Sequence, residues 1–337
     1  MKINVCSETE FLRIRGEGVS TSFLTCVELL KEGSDVKVLV NNEGQGDVMH
    51  CHTYGPYFFW RGRKYKGRRV HTVHVIPDSI KGSVPAARWI MPFFKWYFKK
   101  VYSYADICIA ISPMVEKVIK ELGADTTIVR LGNPLFTDRW KRNSELRERG
   151  RKLLGLSQDD FCVLGVGQLE GRKGCEDFIE IGKQVPGAQF RWIGGRPFGM
   201  MTEGIPKLNK NIKNASVNVQ FQGIVPFAEM PEMYAAGDLF LFPSYQENCP
   251  LAPLEAAASG MPVIYRNLEE YKLLYKHDYL KADGLPQFVE YVNKLMHSKE
   301  EYEKGLEISA NLVKQFDKNK IRKQLIEIYS NLCRPSS

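Results

Sequence analysis

Apolar and polar positions along this chain follow two periods that take turns. Short runs rich in β-branched and apolar residues occur at 3–6, 36–40, 47–52, 70–75, 107–112 and 127–131. Stretches with apolar residues three and four apart fill the gaps, as at 20–31 and 114–122. Such alternation predicts a parallel sheet covered by helices. A charged segment at 138–152 interrupts the rhythm, which then restarts. Strand-like runs follow at 162–166, 189–193, 219–223, 239–242 and 263–265, with helical ones at 176–185, 228–236 and 252–259. The last segment, 317–332, places Ile321, Leu325, Ile328 and Tyr329 at helical spacing. The expected fold is therefore α/β, with two doubly wound, Rossmann-like domains joined near 138–152. Their expected bounds are 1–140 and 141–316, with 317–337 as a helix crossing back to the first domain. Sheets of this kind bind ligands at the carboxyl ends of their strands, so the expected site is a cleft between the two.

Composition narrows the class. At 337 residues, 44% hydrophobic and 26% charged, the chain fits a soluble globular protein of two cores. Met1 to Val5 run straight into a strand-like pattern, with no charged start followed by an apolar run. Lys, Arg or Pro break every apolar stretch well before the ~20 residues that a membrane-spanning helix needs. The cytoplasm is the expected compartment. Eight cysteines are scattered without a C-x-x-C pair, and Cys108 and Cys162 sit inside apolar runs as small hydrophobes. The net charge of +8 is unevenly placed: residues 1–150 hold 24 basic against 16 acidic residues, and 151–337 hold 23 of each. Within 61–100, eleven basic residues face a single acid, Asp78. The first half should meet something anionic.

The most informative stretch runs from Phe242 to Ile264, where a strand gives way to a polar turn, a small-residue helix and another strand. Glu247 lies in the turn and Glu255 inside the apolar helix. A carboxylate in a tightly packed helix is costly unless it binds something, and sugar or ribose hydroxyls are suitable donors. The backbone amides of Asn248, Cys249 and Leu251 approach the helix start, where they suit a phosphate. Pro250 fits a first helical turn, since its missing amide hydrogen would be unpaired there. A second stretch, Gly165 to Gly174, closes a strand and opens a helix. It holds Gly167, Gln168, Arg172 and Lys173, a glycine turn with two fixed cations suited to a diphosphate. Gly16 and Gly18 form a third glycine-containing loop after the first strand. His50 and His52 alternate on one strand, with His71 and His74 on or after the next. The acidic partners expected near a bound metal are missing, so no metal is expected.

Glu247-x7-Glu255 on a strand, turn and helix resembles the signature of the family 4 retaining glycosyltransferases of GT-B architecture. That resemblance implies two Rossmann-like domains facing across a cleft. It places Glu247 against the donor sugar and Glu255 on the nucleotide ribose. Lys173 before Gly174 is similar to the family's diphosphate loop, and Gly16 and Gly18 to its loop near donor phosphates and acceptor. His74 matches the position of a family His beside the reacting sugar, so the implied catalytic set is Glu247, His74 and Lys173. The chain departs at Cys249 and Pro250, where many members carry an aromatic residue and Gly. It departs also at Gln168, where an Arg is common and nearby Arg172 is the candidate replacement.

Residues 85–104 interleave aromatics with Lys and Arg: Arg88, Trp89, Phe93, Phe94, Lys95, Trp96, Lys99 and Lys100. This composition fits a helix in a membrane interface, with cations on anionic lipid. An ordinary amphipathic helix packed on the first sheet fits it too. Nucleic acid is not expected, although basic and aromatic residues together can bind it. With the short first domain, the chain looks like the bacterial glycosyl-diacylglycerol synthases. The resemblance implies a UDP-hexose donor (glucose or galactose), a glycerolipid acceptor, an anionic membrane surface and no separate cofactor, peripherally on the inner face of the cell membrane. A soluble or polyprenyl-linked saccharide acceptor, a nucleotide-sugar epimerase and a non-catalytic binder are the alternatives.

Overall fold

The computed structural model describes the chain apart from residues 10–17, 43, 54, 81–86, 196–204 and 335–337. At 78, 80, 87–89 and 205 it describes the backbone alone. The chain divides into two compact units, Met1–Pro134 with Phe316–Ser337, and Leu135–Gln315.

The first unit carries six strands: β1 (Lys2–Cys6), β2 (Lys37–Val40), β3 (Val48–Cys51), β4 (Arg68–Val73), β5 (Ile107–Ala110) and β6 (Thr127–Arg130). They form one parallel sheet in the order β2-β1-β3-β4-β5-β6. The order reverses between β1 and β3, which opens a crevice at their carboxyl ends. The second unit carries β7 (Cys162–Val166), β8 (Gln189–Ile193), β9 (Val219–Phe221), β10 (Leu239–Phe242), β11 (Val263–Arg266) and β12 (Leu280–Ala282). Its parallel sheet runs β12-β11-β10-β7-β8-β9, the doubly wound Rossmann order. Here the reversal falls between β7 and β10. Each of the two singled-out motifs of this half follows one of those strands.

Burial explains the periodic runs. Ile3, Val5, Cys162, Val163, Leu164 and all four residues of β10 are buried, as strands covered on both faces require. Phe178, Phe190, Trp192, Leu241 and Phe288 belong to the core of the second unit. All eight cysteines are free thiols, and six are buried. Burial pushes the Cys26, Cys108, Cys162 and Cys175 thiols up to about 12, consistent with packing groups.

The charged segment at 138–152 is not a joint. It forms helices Thr137–Trp140 and Ser144–Leu153, the first elements of the second unit. Arg151 is fully buried and donates to the carbonyl oxygens of Ser157, Asp160 and Ala236. Arg147 and Arg151 both pair with Asp238. Charge spacing alone does not show that these cations point inward. The final helix, Lys318–Cys333, packs on the first unit. Arg322 donates to the Leu29 carbonyl and pairs with Asp35, Lys318 pairs with Glu32, and Tyr329 is fully buried.

Candidate functional site

In the second unit, chain geometry brings the two motifs after β7 and β10 together. A tight helical turn, Gly171–Lys173, leads into helix Cys175–Gln184. Gly174 between them has φ +74°, and a Cβ there would lie 2.3 Å from the Pro243 carbonyl oxygen. Only glycine supplies both that conformation and that approach. The Arg172 carbonyl oxygen accepts the Tyr245 amide at 2.7 Å and lies 3.0 Å from Ser244 Oγ. The loop after β10 is thus stitched to the turn after β7.

Side chains complete the junction. Lys173 Nζ lies 2.5 Å from Glu247 Oε1, and Ser244 Oγ lies 2.7 Å from the same oxygen. The two charged side chains are 15% and 9% exposed, so the pair is sheltered yet reachable. Arg172 Nε sits 2.7 Å from Glu170 Oε2, with Glu170 nearly buried. Arg266 holds the loop from behind: it donates to the Pro243 carbonyl, pairs with Asp177 and lies 3.8 Å over the Tyr245 ring. Glu170 and Ser244 lie inside the two motif stretches and Asp177 and Arg266 outside them, and none was singled out, because their partners are set by the fold and not by local spacing.

Glu255 lies in helix Ala252–Ala258, 8% exposed, and accepts a hydrogen bond of 2.7 Å from the Tyr234 hydroxyl. Burial pushes its carboxyl up to about 7, against the lowering effect of Tyr234 and of Arg139. Cys249 is buried at the loop's end. Pro250 does not sit in the first helical turn as expected: the helix begins at Ala252, and the proline of its first turn is Pro253. Gly167 follows β7, and its carbonyl accepts the Trp192 indole N–H at 3.0 Å.

In the first unit, four buried histidines gather on β3, β4 and the residues just after them. His50 Nδ1 lies 2.6 Å from the Tyr329 hydroxyl, and its Nε2 lies 2.6 Å from Thr72 Oγ1. His52 Nδ1 lies 3.1 Å from His74 Nε2, and the two rings stack at 5.3 Å. His71 contacts the Tyr102 ring. Burial pushes His50 and His74 down to about 3, His71 to about 4, and His52 well below its usual range. All four are neutral at physiological pH. Cys26, His50 and His52 bring three ligand-type atoms within 4.8 Å of one another. Both His50 nitrogens already have partners at 2.6 Å. Gly18 opens helix Gly18–Lys31, while Gly16 lies outside the described residues.

The aromatic segment forms helix Ala87–Ser103. One face packs inward through Met91, Phe98 and Val101, with Phe94 half-buried against Phe98. The other leaves Ile90, Phe93 and Trp96 exposed, with Phe93 and Trp96 at 61% and 55%, beside exposed Lys95, Lys99 and Lys100. The side chains of Arg88 and Trp89 lie outside the described residues. Trp60 and Tyr57 on helix Pro56–Gly62 are exposed as well, with Arg63 and Arg61 over their rings. Among the described residues, no helix is long and apolar enough to cross a membrane.

Comparison with known proteins agrees with this geometry. Residues 26–139 match the family described as Glycosyltransferase Family 4, and residues 160–298 match Glycosyl transferases group 1. The alpha-galactosylglucosyldiacylglycerol synthase of Streptococcus pneumoniae is 32% identical over 296 residues, 86% of this chain and 79% of that protein. The processive diacylglycerol alpha-glucosyltransferase of Acholeplasma laidlawii is 26% identical over 337 residues, 99% of each. In fold, the chain is similar to Anabaena HepE, solved in complex with UDP and glucose, with a TM-score of 0.77 and 17% identity over 98% and 99% of the two chains. It is also similar to WaaG, a glycosyltransferase involved in lipopolysaccharide biosynthesis, at a TM-score of 0.68 and 16% identity over 98% and 99%. The two Rossmann-type sheets, the paired motifs after β7 and β10 and the shared identity agree: the chain belongs to glycosyltransferase family 4 and is a glycosyltransferase of the GT-B fold.

Proposed function

We propose that this glycosyltransferase moves glucose or galactose from a UDP-sugar to a membrane glycerolipid, either diacylglycerol or a monoglycosyl-diacylglycerol. The transfer retains anomeric configuration and uses no metal cofactor. The observation that carries the donor assignment is the meeting of Lys173, Ser244 and Glu247 at the ends of β7 and β10. A diphosphate entering there competes with Glu247 for Lys173 and adds Arg172 as a second cation, leaving Glu247 to accept hydroxyls of the hexose. Gly167, Gln168 and the loop residues Asn248, Cys249, Pro250 and Leu251 line the donor. Glu255 takes the ribose hydroxyls in its ionised form.

In the reaction, the bond from the anomeric carbon to the diphosphate oxygen breaks, and the acceptor oxygen bonds to that carbon on the same face. The departing diphosphate takes the acceptor's proton. Charge grows on the leaving oxygen, where the fixed cations Lys173 and Arg172 lower the barrier without a metal ion. Gly16, Gly18 and His74 of the first unit serve the donor phosphates, the acceptor and the reacting sugar.

The lipid acceptor rests on the exposed Phe93 and Trp96 among lysines, a face suited to anionic headgroups, and on the named activities of the two relatives. The enzyme then works peripherally on the inner face of the cell membrane. A second reading, transfer to a saccharide for a cell-surface polymer, is favoured by one relative. That is a putative teichuronic acid biosynthesis glycosyltransferase of Bacillus subtilis, 28% identical over 78% of this chain and 63% of that protein.

The test incubates purified protein with labelled UDP-glucose or UDP-galactose and anionic vesicles, with and without diacylglycerol or glucosyl-diacylglycerol, in EDTA. Label entering the organic phase only with the lipid, and absent for Glu247→Ala, supports the proposal. Label that stays aqueous unless a saccharide acceptor is supplied replaces it by the second reading. Restoration only by added divalent cation removes the metal-free mechanism.

A further inference from the structure

His74 is neutral but its tautomer is open, and its neighbour His52 supplies it. His52 follows β3, is 3% exposed, and faces His74 with Nδ1 3.1 Å from Nε2. Its other ring nitrogen, Nε2, is buried without a hydrogen-bond partner among the described residues. Both rings are neutral, since burial disfavours their charged forms, so each carries a single N–H.

One of the two facing nitrogens must hold the shared proton, and the orphaned atom decides which. Were it on His74 Nε2, neutral His52 would carry its own proton on Nε2, leaving a buried N–H with no acceptor. Folded proteins rarely keep such a donor. With the proton on His52 Nδ1, the orphaned Nε2 is a bare lone pair, the milder defect. The tilted contact of the His52 ring with His50, 4.5 Å between centroids, and the edge-on Phe23 at 5.8 Å hold His52 in place.

We infer that His52 is a positioning residue: it donates from Nδ1 to His74 Nε2 and fixes His74 as the tautomer protonated on Nδ1. In that tautomer His74 is a neutral hydrogen-bond donor and not a base. This deepens the proposed function and rests on it for the sugar; the tautomer itself does not. Proton balance agrees, because the departing diphosphate takes the acceptor's proton and no basic nitrogen is needed for it.

The test has a spectroscopic and a kinetic arm. Long-range ¹H–¹⁵N spectra of the full chain labelled at histidine, assigned with His74→Gln and His52→Asn, should show His74 protonated on Nδ1. In lipid glycosylation, His52→Leu should lower kcat about tenfold with donor KM little changed, the loss of one aligned hydrogen bond. Asn places an amide N–H near the Nδ1 position, so His52→Asn should recover most of that loss. His52→Asp, equal in size but an acceptor, should not, and should move the His74 proton to Nε2. Wild-type His74 protonated on Nε2 overturns the inference, as do Asn and Asp variants that lose activity equally. Should no lipid be glycosylated at all, the wild-type spectrum still decides the tautomer, which separates failure of this inference from failure of the lipid reading.

Discussion

Under the proposed function, Glu255 places binding and stability in opposition. Its carboxyl is raised to about 7 in the folded chain, against about 4.3 for an exposed glutamate. The folded state therefore binds this proton more tightly than the unfolded one. Its contribution is neutral below both values, turns unfavourable as pH rises from about 4 to 7, and remains a penalty above. Glu255→Gln keeps an acceptor for the Tyr234 hydroxyl and removes that penalty. It should stabilise the protein at pH 8 by about 1–3 kcal/mol and hardly at all near pH 4, as thermal melts at the two pH values will show. The same variant should bind UDP more weakly by titration calorimetry. Equal melting shifts at both pH values would contradict the buried-charge account. Lys173→Met tests the neighbouring pair: it should weaken UDP binding and lower kcat by about a hundredfold, because a fixed cation at the leaving diphosphate is lost.

Elements place these residues, and their own tolerances are testable. The turn before helix Cys175–Gln184 depends on Gly174, whose φ of +74° and closeness to Pro243 leave no room for a Cβ. Gly174→Ala should cost about 2 kcal/mol or more from the positive φ and the backbone clash together, read as a lower denaturation midpoint. The same change should weaken donor binding by shifting Arg172 and Lys173. Helix Ala87–Ser103 has a different logic. Its inner face, Met91, Phe98 and Val101, serves packing, and its outer face leaves Phe93 and Trp96 more than half exposed. Phe93→Ser with Trp96→Ser should leave the melting temperature within a few degrees and lower anionic-vesicle binding by about tenfold or more in a sedimentation assay. Unchanged vesicle binding would reduce that helix to ordinary packing.

At the scale of the whole chain, the last helix belongs with the first unit. Tyr329 is buried and hydrogen-bonded to His50, so Tyr329→Phe leaves the buried His50 Nδ1 only the Cys26 thiol at 4.0 Å, at a cost of about 1–3 kcal/mol. A chemical denaturation series reads that loss directly. The four buried neutral histidines give the first unit a pH dependence of the opposite sense to Glu255. Their folded pKa values lie below the usual 6.5, so stability should fall as pH drops below about 6.5. Charge is distributed on the same scale. The whole excess of +8 lies in residues 1–150, so vesicle binding should weaken as salt rises, while UDP binding by the second unit should respond much less.

The sequence by itself determined what periodicity and residue type can carry. Strands such as Cys162–Val166 and Leu239–Phe242 were legible because both faces are buried, and a doubly covered strand reads as an unbroken apolar run. Glu255 was legible because a carboxylate is anomalous in an Ala-rich helix, and Lys173 because its neighbours are glycines after a strand. Helices 299–313 and 285–297 and the short strand Leu280–Ala282 were not singled out, although Phe288, Val292 and Leu295 stand at helical spacing. Only the tertiary structure decided which groups meet. Lys173 and Glu247 stand 74 positions apart in the chain, and His50 and Tyr329 stand 279 apart. No local period records such distances, because they are fixed by strand order. The reversal between β7 and β10 brings the loops after them side by side, and the burial of Arg151, with Arg147 beside it on Asp238, makes the segment that looked like a charged joint part of the second unit. Local physics chose the elements, and the order of strands chose the chemistry they share.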